Sequence, residues 1–90
     1  RAIIETTVER DFVRVLEGGC QVPIGINARL DGEDIHISAI VGLPDGSESI
    51  RQSIVAQKSK WQSVGAELAR VFIKKGAKQL LARAEAMASL

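Results

Sequence analysis

The chain's only cysteine, Cys20, lies in the run Leu16-Glu17-Gly18-Gly19-Cys20-Gln21-Val22-Pro23-Ile24-Gly25, whose residue types favour exposing a thiol. A thiol can attack an electrophile, ligate a metal or pair in a disulfide. One cysteine cannot make an internal disulfide, and one cysteine with one histidine is poor material for a structural metal site. Nucleophilic chemistry is left, set against the bland alternative of a small buried hydrophobe. Local electrostatics do not favour a turnover nucleophile. A helical pattern ends at Gly18-Gly19, and the C-terminal end of a helix carries partial negative charge that disfavours a thiolate. Arg10 and Arg14 are near in sequence and would offset that charge if they faced the thiol.

The elements that must position Cys20 can be read from the spacing of apolar residues. Thr6 and Glu9 have the spacing of a capping box, and Val8, Phe12, Val15 and Leu16 recur on one helical face, which predicts a helix over 7–17. Ile24, Ile26, Ala28 and Leu30 alternate with Gly25, Asn27 and Arg29, the period of a half-buried strand. Asp31-Gly32 supplies the positive φ angles of a tight hairpin. The next strand has Ile35, Ile37, Ala39 and Val41 on one face and His36, Ser38 and Ile40 on the other. Leu43-Pro44-Asp45-Gly46 is a second turn, and a third strand runs over 47–56. Ser59 and Gln62 predict another cap before Trp61, Val64, Gly65, Leu68, Val71 and Phe72, a helical stripe that stops at Lys74-Lys75-Gly76. Gly65 falls on the apolar face, where a missing side chain lets a neighbouring helix approach. A last helix carries Ala77, Leu80, Leu81, Ala84 and Met87. The expected fold class is α+β: a two-layer sandwich of order α-β-β-β-α-α, with a three-stranded antiparallel sheet covered on one face by helices.

Ninety residues with 46% hydrophobic content are enough for one core, so residues 1–90 read as a single domain. Lys+Arg 12 against Asp+Glu 11 gives a net charge of +1, which provides no overall basic field for nucleic acid or anionic membrane. No apolar run approaches the roughly 18 residues of a membrane span, and no signal-peptide pattern is present; a cytoplasmic protein is expected. The chain opens at Arg1-Ala2-Ile3-Ile4 and its single methionine is Met87, so a piece of a longer protein is expected.

Glu9-Arg10, Phe12, Arg14 and the unbroken run from Leu16 to Gly25 resemble the start of the C-terminal domain of the porphobilinogen deaminases, also called hydroxymethylbilane synthases. The likeness is fair through Val41-Gly42 to Arg51, with its Pro44-Asp45-Gly46-Ser47 turn, and is only a pattern match in the last helices. Asp11, where the family often has a small apolar residue, is a departure that leaves the cysteine motif untouched. The resemblance implies that Cys20 holds a dipyrromethane cofactor through a thioether, with Gly18 and Gly19 giving the loop its geometry. It also implies a parent of three domains, a transferase that condenses porphobilinogen head to tail with loss of ammonia and releases hydroxymethylbilane for heme biosynthesis. In the family, the acidic catalytic residue and the arginines that bind acetate and propionate groups belong to the first two domains. Those two domains are the implied partners and porphobilinogen the implied substrate, with no nucleic acid and no membrane. No catalytic residue and no metal ligand is assigned in this chain, and the isolated chain is expected to be inactive and without cofactor. A tether makes lighter demands than a turnover nucleophile, since it forms one bond and then holds.

Other residues read as structural. Glu17 reads as solvated in the last helical turn, Gln21 as satisfying loop backbone groups and Pro23 as starting an edge strand. His36 has no second histidine or acidic triad in motif spacing, and Trp61 falls on the stripe of Val64 and Leu68. The competing reading is a double-stranded RNA-binding module, which shares the α-β-β-β-α order and would use Lys58 and Lys60 on phosphates. It leaves Gly18-Gly19-Cys20 unexplained, and the near-zero net charge argues against it. A purely structural or dimerisation domain describes what the isolated chain would do in solution.

Overall fold

In the computed structural model, which describes residues 2–17 and 24–88, the chain forms α1 (Ala2–Glu17), β1 (Ile24–Asp31), β2 (Asp34–Gly42), β3 (Ser49–Gln57), a short 3-10 turn (Lys58–Lys60), α2 (Val64–Lys74) and α3 (Ala77–Ala88). The strands make an antiparallel meander of order β1-β2-β3. The expected α-β-β-β-α-α order and α+β class hold. Period-2 alternation sets the two faces, because Ala28 pairs with Ile37 and Ile37 with Ile54, so apolar side chains line one side across all three strands. That side is closed by Val8, Phe12 and Leu16 from α1, Val64, Leu68 and Phe72 from α2, and Leu80, Leu81 and Ala84 from α3, all buried. No helix is long and apolar enough among the described residues to cross a membrane.

α1 begins earlier than the capping-box spacing predicts. Ile4 packs against the core one turn ahead of Val8, so the apolar stripe continues upstream and Thr6 lies inside the helix. Glu9 is consequently free to look outward, and its carboxylate accepts the Ala28 N–H at 2.9 Å, while Glu5 accepts the Leu30 N–H at 2.8 Å. β1 is an edge strand, and these two carboxylates, one helical turn apart, satisfy amides that β2 cannot reach.

The hairpin also differs by one residue. Asp31 pairs with Asp34, so Gly32 and Glu33 are the central turn residues, and only Gly32 takes a positive φ, +64°. The second turn forms where expected, with the Gly46 N–H donating to the Leu43 carbonyl at 3.0 Å. The cap expected at Ser59 is replaced by the 3-10 turn, and Ser63 precedes α2 with its hydroxyl turned back to the Lys60 carbonyl at 3.4 Å. The Lys58 N–H donates to the Glu33 carbonyl at 2.7 Å, which holds the chain against the β1–β2 hairpin at the start of that turn. Val71 is 42% exposed: at about 100° per residue it lies on the flank of the stripe that Val64, Leu68 and Phe72 occupy. Trp61 is half-buried against the core, as its place on the stripe predicts.

Gly65 is buried where α2 crosses α1. A Cβ there would fall on the Val8 carbonyl oxygen and lie 3.1 Å from the Asp11 Cβ. Beside this crossing, Phe12 and Phe72 meet edge to face, with ring centroids 5.1 Å apart and planes at 87°, a geometry that contributes about 0.5–1.5 kcal/mol beyond burial. Arg83 of α3 binds Glu48 at 2.6 Å, tying the last helix to the β2–β3 loop, where Asp45 accepts the Ser47 N–H and hydroxyl at 2.9 and 2.7 Å.

Two predictions follow from this packing. Gly65→Ala gains about 1 kcal/mol of helix propensity but presses a methyl group onto backbone that cannot turn aside. Net destabilisation of about 1–3 kcal/mol is expected in urea unfolding, and parental stability would show that the helices are not in contact there. The second concerns pH. The Arg83 hydrogen bond and charge hold Glu48 below the ordinary carboxylate range. Stabilisation from a lowered carboxylate is complete above that range and is lost as pH falls through the lowered value. The urea midpoint of Arg83→Met should therefore lie below that of the parent at neutral pH and converge with it in strong acid. A gap that persists in acid would assign the effect to packing.

Candidate functional site

Cys20 and the glycines expected to shape its loop, Gly18 and Gly19, lie outside the described residues, as do Gln21 and Pro23. What the structure places are the two supports on either side of residues 18–23. The first is the end of α1. Leu16 is buried in the core, and the ammonium of Lys78, from the first turn of α3, donates to the Leu16 carbonyl at 2.9 Å and to the Val15 carbonyl at 3.3 Å. These are carbonyls of the last helical turn, which have no partner within their own helix. Lys78 therefore supplies both a hydrogen-bond donor and a positive charge to the negative end of the α1 dipole.

The second support is β1. Ile24 pairs with Val41 and Gly25 with Ile40 in the register that continues to Asp31, and Glu9 holds the strand's free edge at Ala28. Pairing on one edge and a carboxylate on the other fix the strand into which residues 18–23 lead. Beside Ile24 the sheet's uncovered face opens into a groove of about 360 Å³. Gly25 and Ile40 lie in it, and a Cβ on Gly25 would stand 2.9 Å from the Ile40 Cγ2, so the groove depends on a missing side chain. Arg51 lines the same groove, and its guanidinium has no ion-pair partner among the described residues, which leaves it available to an acidic group.

Arg10 and Arg14, near Cys20 in sequence, have described surroundings of their own, while the thiol lies outside the described residues. Arg14 pairs with Asp11 at 2.9 Å, so Asp11 takes up the guanidinium nearest the end of α1. Arg10 stands about 10 Å up the helix axis from Glu17, by the rise of an α-helix, on an exposed face beside Thr6 and Thr7. Lys78 is the cation that the described structure brings to the end of α1, and sequence reasoning missed it. One signal pointed to it: a lysine in a helix's first turn is unfavourable to that helix's own dipole, which suggests service to another group. His36 is half-buried on the uncovered face, with Nε2 3.7 Å from Asp31, beyond hydrogen-bond distance. Lys58 and Lys60 lie in the 3-10 turn before α2.

Comparison with known proteins identifies the family. A family model described as "Porphobilinogen deaminase, C-terminal domain" matches residues 3–74, which takes in α1, the cysteine segment, the sheet and α2. A porphobilinogen deaminase from Campylobacter curvus is 69% identical over 90 residues, 100% of this chain and 29% of that protein. One from Campylobacter concisus is 70% identical over 87 residues, 97% of this chain and 28% of that protein. A more distant one, from Sulfurimonas denitrificans, is 56% identical over 85 residues, covering 93% of the chain and 27% of the relative. The chain thus spans less than a third of the length of these curated relatives. Since the match runs unbroken through the supports on both sides of Cys20, the chain belongs to the porphobilinogen deaminase family, as its C-terminal domain.

Proposed function

We propose that this chain is the cofactor-carrying domain of a porphobilinogen deaminase, with a dipyrromethane primer held by a thioether to Cys20. The larger enzyme is then a transferase that condenses four porphobilinogen molecules into hydroxymethylbilane in tetrapyrrole and heme biosynthesis. The observation that carries this reading is the position of the chain's single thiol: it lies in a segment supported on both sides, within the stretch that the family model matches. When bound, dipyrromethane supplies an enzyme-held pyrrole chain to which further units are added.

The residues of this chain meet the needs of such a group. Attachment requires a thiol, and this chain offers one with no second cysteine of its own to compete for the group. The Cys20 sulfur bonds to the methylene carbon of an aminomethyl- or hydroxymethyl-pyrrole, the carbon–nitrogen or carbon–oxygen bond breaks, and the thiol proton leaves on ammonia or water. Afterwards Cys20 has only to hold. The acid–base chemistry and carboxylate binding fall to the two preceding domains, the partners of this one, and a cytoplasmic enzyme without membrane or nucleic-acid ligands follows. The double-stranded RNA-binding alternative is not favoured, since the family match covers the elements on which it rested.

Cys20→Ser in the full-length enzyme should abolish covalent cofactor while leaving the thermal midpoint close to the parent's, because serine is nearly isosteric and its hydroxyl is a much poorer nucleophile. Intact-protein mass spectrometry reads the cofactor directly. A Cys20→Ser enzyme that still carries dipyrromethane and turns over normally would refute the assignment. The isolated 90-residue chain should give dispersed amide signals and consume no porphobilinogen; measurable turnover would place catalytic groups within it.

A further inference from the structure

We propose that Lys78 is a positioning residue for the cysteine segment: its ammonium, reaching from the first turn of α3, locks the carbonyl end of α1 from which residues 18–23 depart. The inference rests on the reading of Cys20 as the attachment residue, but the contact that motivates it lies wholly among described residues. Nζ bonds two successive carbonyls, Leu16 at 2.9 Å and Val15 at 3.3 Å. An ammonium has three donors, so this arrangement uses two of them on one helix end.

Three further observations give the contact a purpose. The basic residue in the last turn of α1 is Arg14, and Asp11 already holds it, so the cation serving those carbonyls comes from α3. Lys78 sits in the first turn of α3, where the helix's own dipole opposes a cation, so its placement favours α1 at some cost to α3. Its backbone is fixed as well. Ala77 is fully buried beside it, and the Gly76 carbonyl accepts the Leu80 N–H at 3.1 Å, so the start of α3 is a firm base for the reach.

The role follows from where α1 ends. The last turn of a helix frays when its carbonyls are unpartnered, and fraying here would move the origin of the cysteine segment while β1 stayed in its register. Attachment needs the thiol to meet a carbon held elsewhere, and small misplacements of reacting groups are expensive in rate. Lys78 removes that freedom through the Val15 and Leu16 carbonyls.

The test uses the full-length enzyme prepared without cofactor, as parent, Lys78→Met, Lys78→Arg and Cys20→Ser. Porphobilinogen is added and covalent gain followed by intact mass, alongside amide hydrogen exchange. Lys78→Met should attach cofactor about tenfold more slowly. Exchange at Val15 and Leu16 should rise about two- to fivefold while Phe12 and Ile37 stay unchanged. Lys78→Arg, which keeps the charge and donors, should restore both. Attachment by Lys78→Met at the parental rate would overturn the inference. So would slow attachment with faster exchange across the whole core, which would make Lys78 a general stabilising residue. Retention of cofactor by Cys20→Ser would instead overturn the reading of the cysteine, which separates the two failures.

Discussion

Between the Val8 carbonyl of α1 and the α2 backbone at Gly65 there is no room for a side chain, so the two helices lie backbone against backbone. That approach sets the depth at which α1 sits, and with it the edge-to-face meeting of Phe12 and Phe72. A helix placed so has little freedom to rotate about its axis. With Val8, Phe12 and Leu16 turned to the core, Glu5 and Glu9 face the outer edge of β1, where their carboxylates meet the Leu30 and Ala28 amides. One close contact between helices thereby determines how the edge of the sheet is finished.

Finishing that edge matters in its own right. An amide partly withdrawn from water without a partner costs about 1–3 kcal/mol, and an open edge strand invites pairing with another chain. Two carboxylates one turn apart match alternate outward amides of a strand, because the roughly 6 Å rise over four helical residues is close to the spacing of residues two apart in β geometry. The same helix therefore packs the core with one stripe and closes the sheet with the adjacent one. Its C-terminal end is in turn held by Lys78, so α1 is tied at its sides to α2 and β1 and at its end to α3.

Periodicity made the strands and the apolar stripes legible, since each depends on residues only two to four positions apart. Gly65 was legible for a related reason: a missing side chain on an apolar face has few uses other than close approach. Helix starts were less so. The Thr6–Glu9 and Ser59–Gln62 spacings suit a capping box, yet Ile4 extends the first stripe past Thr6, and the second segment forms a 3-10 turn beside the Lys58–Glu33 bond. The partners of Glu5 and Lys78 were out of reach because they lie 25 and 62 positions away, and pairing across such distances leaves no trace in local spacing; for Lys78 only its unfavourable place in a first helical turn hinted at service elsewhere. The proposed role of Cys20 rests on its neighbours in the motif; local electrostatics argue against a turnover nucleophile there.

Cys20 falls in sequence between two fixed elements, α1 and β1, and that bears on the proposed tether. Chain length sets one limit whatever the conformation: three residues span at most about 10 Å, which bounds the distance of Cys20 from Glu17. On the proposed reading a pyrrole is gained at each condensation while this bound stays fixed, so the groups that bind and activate each new unit lie within reach of the bounded sulfur or move relative to it. Firm supports at Leu16 and Ile24 serve that arrangement better than loose ones, because every unit added is referred to the same origin.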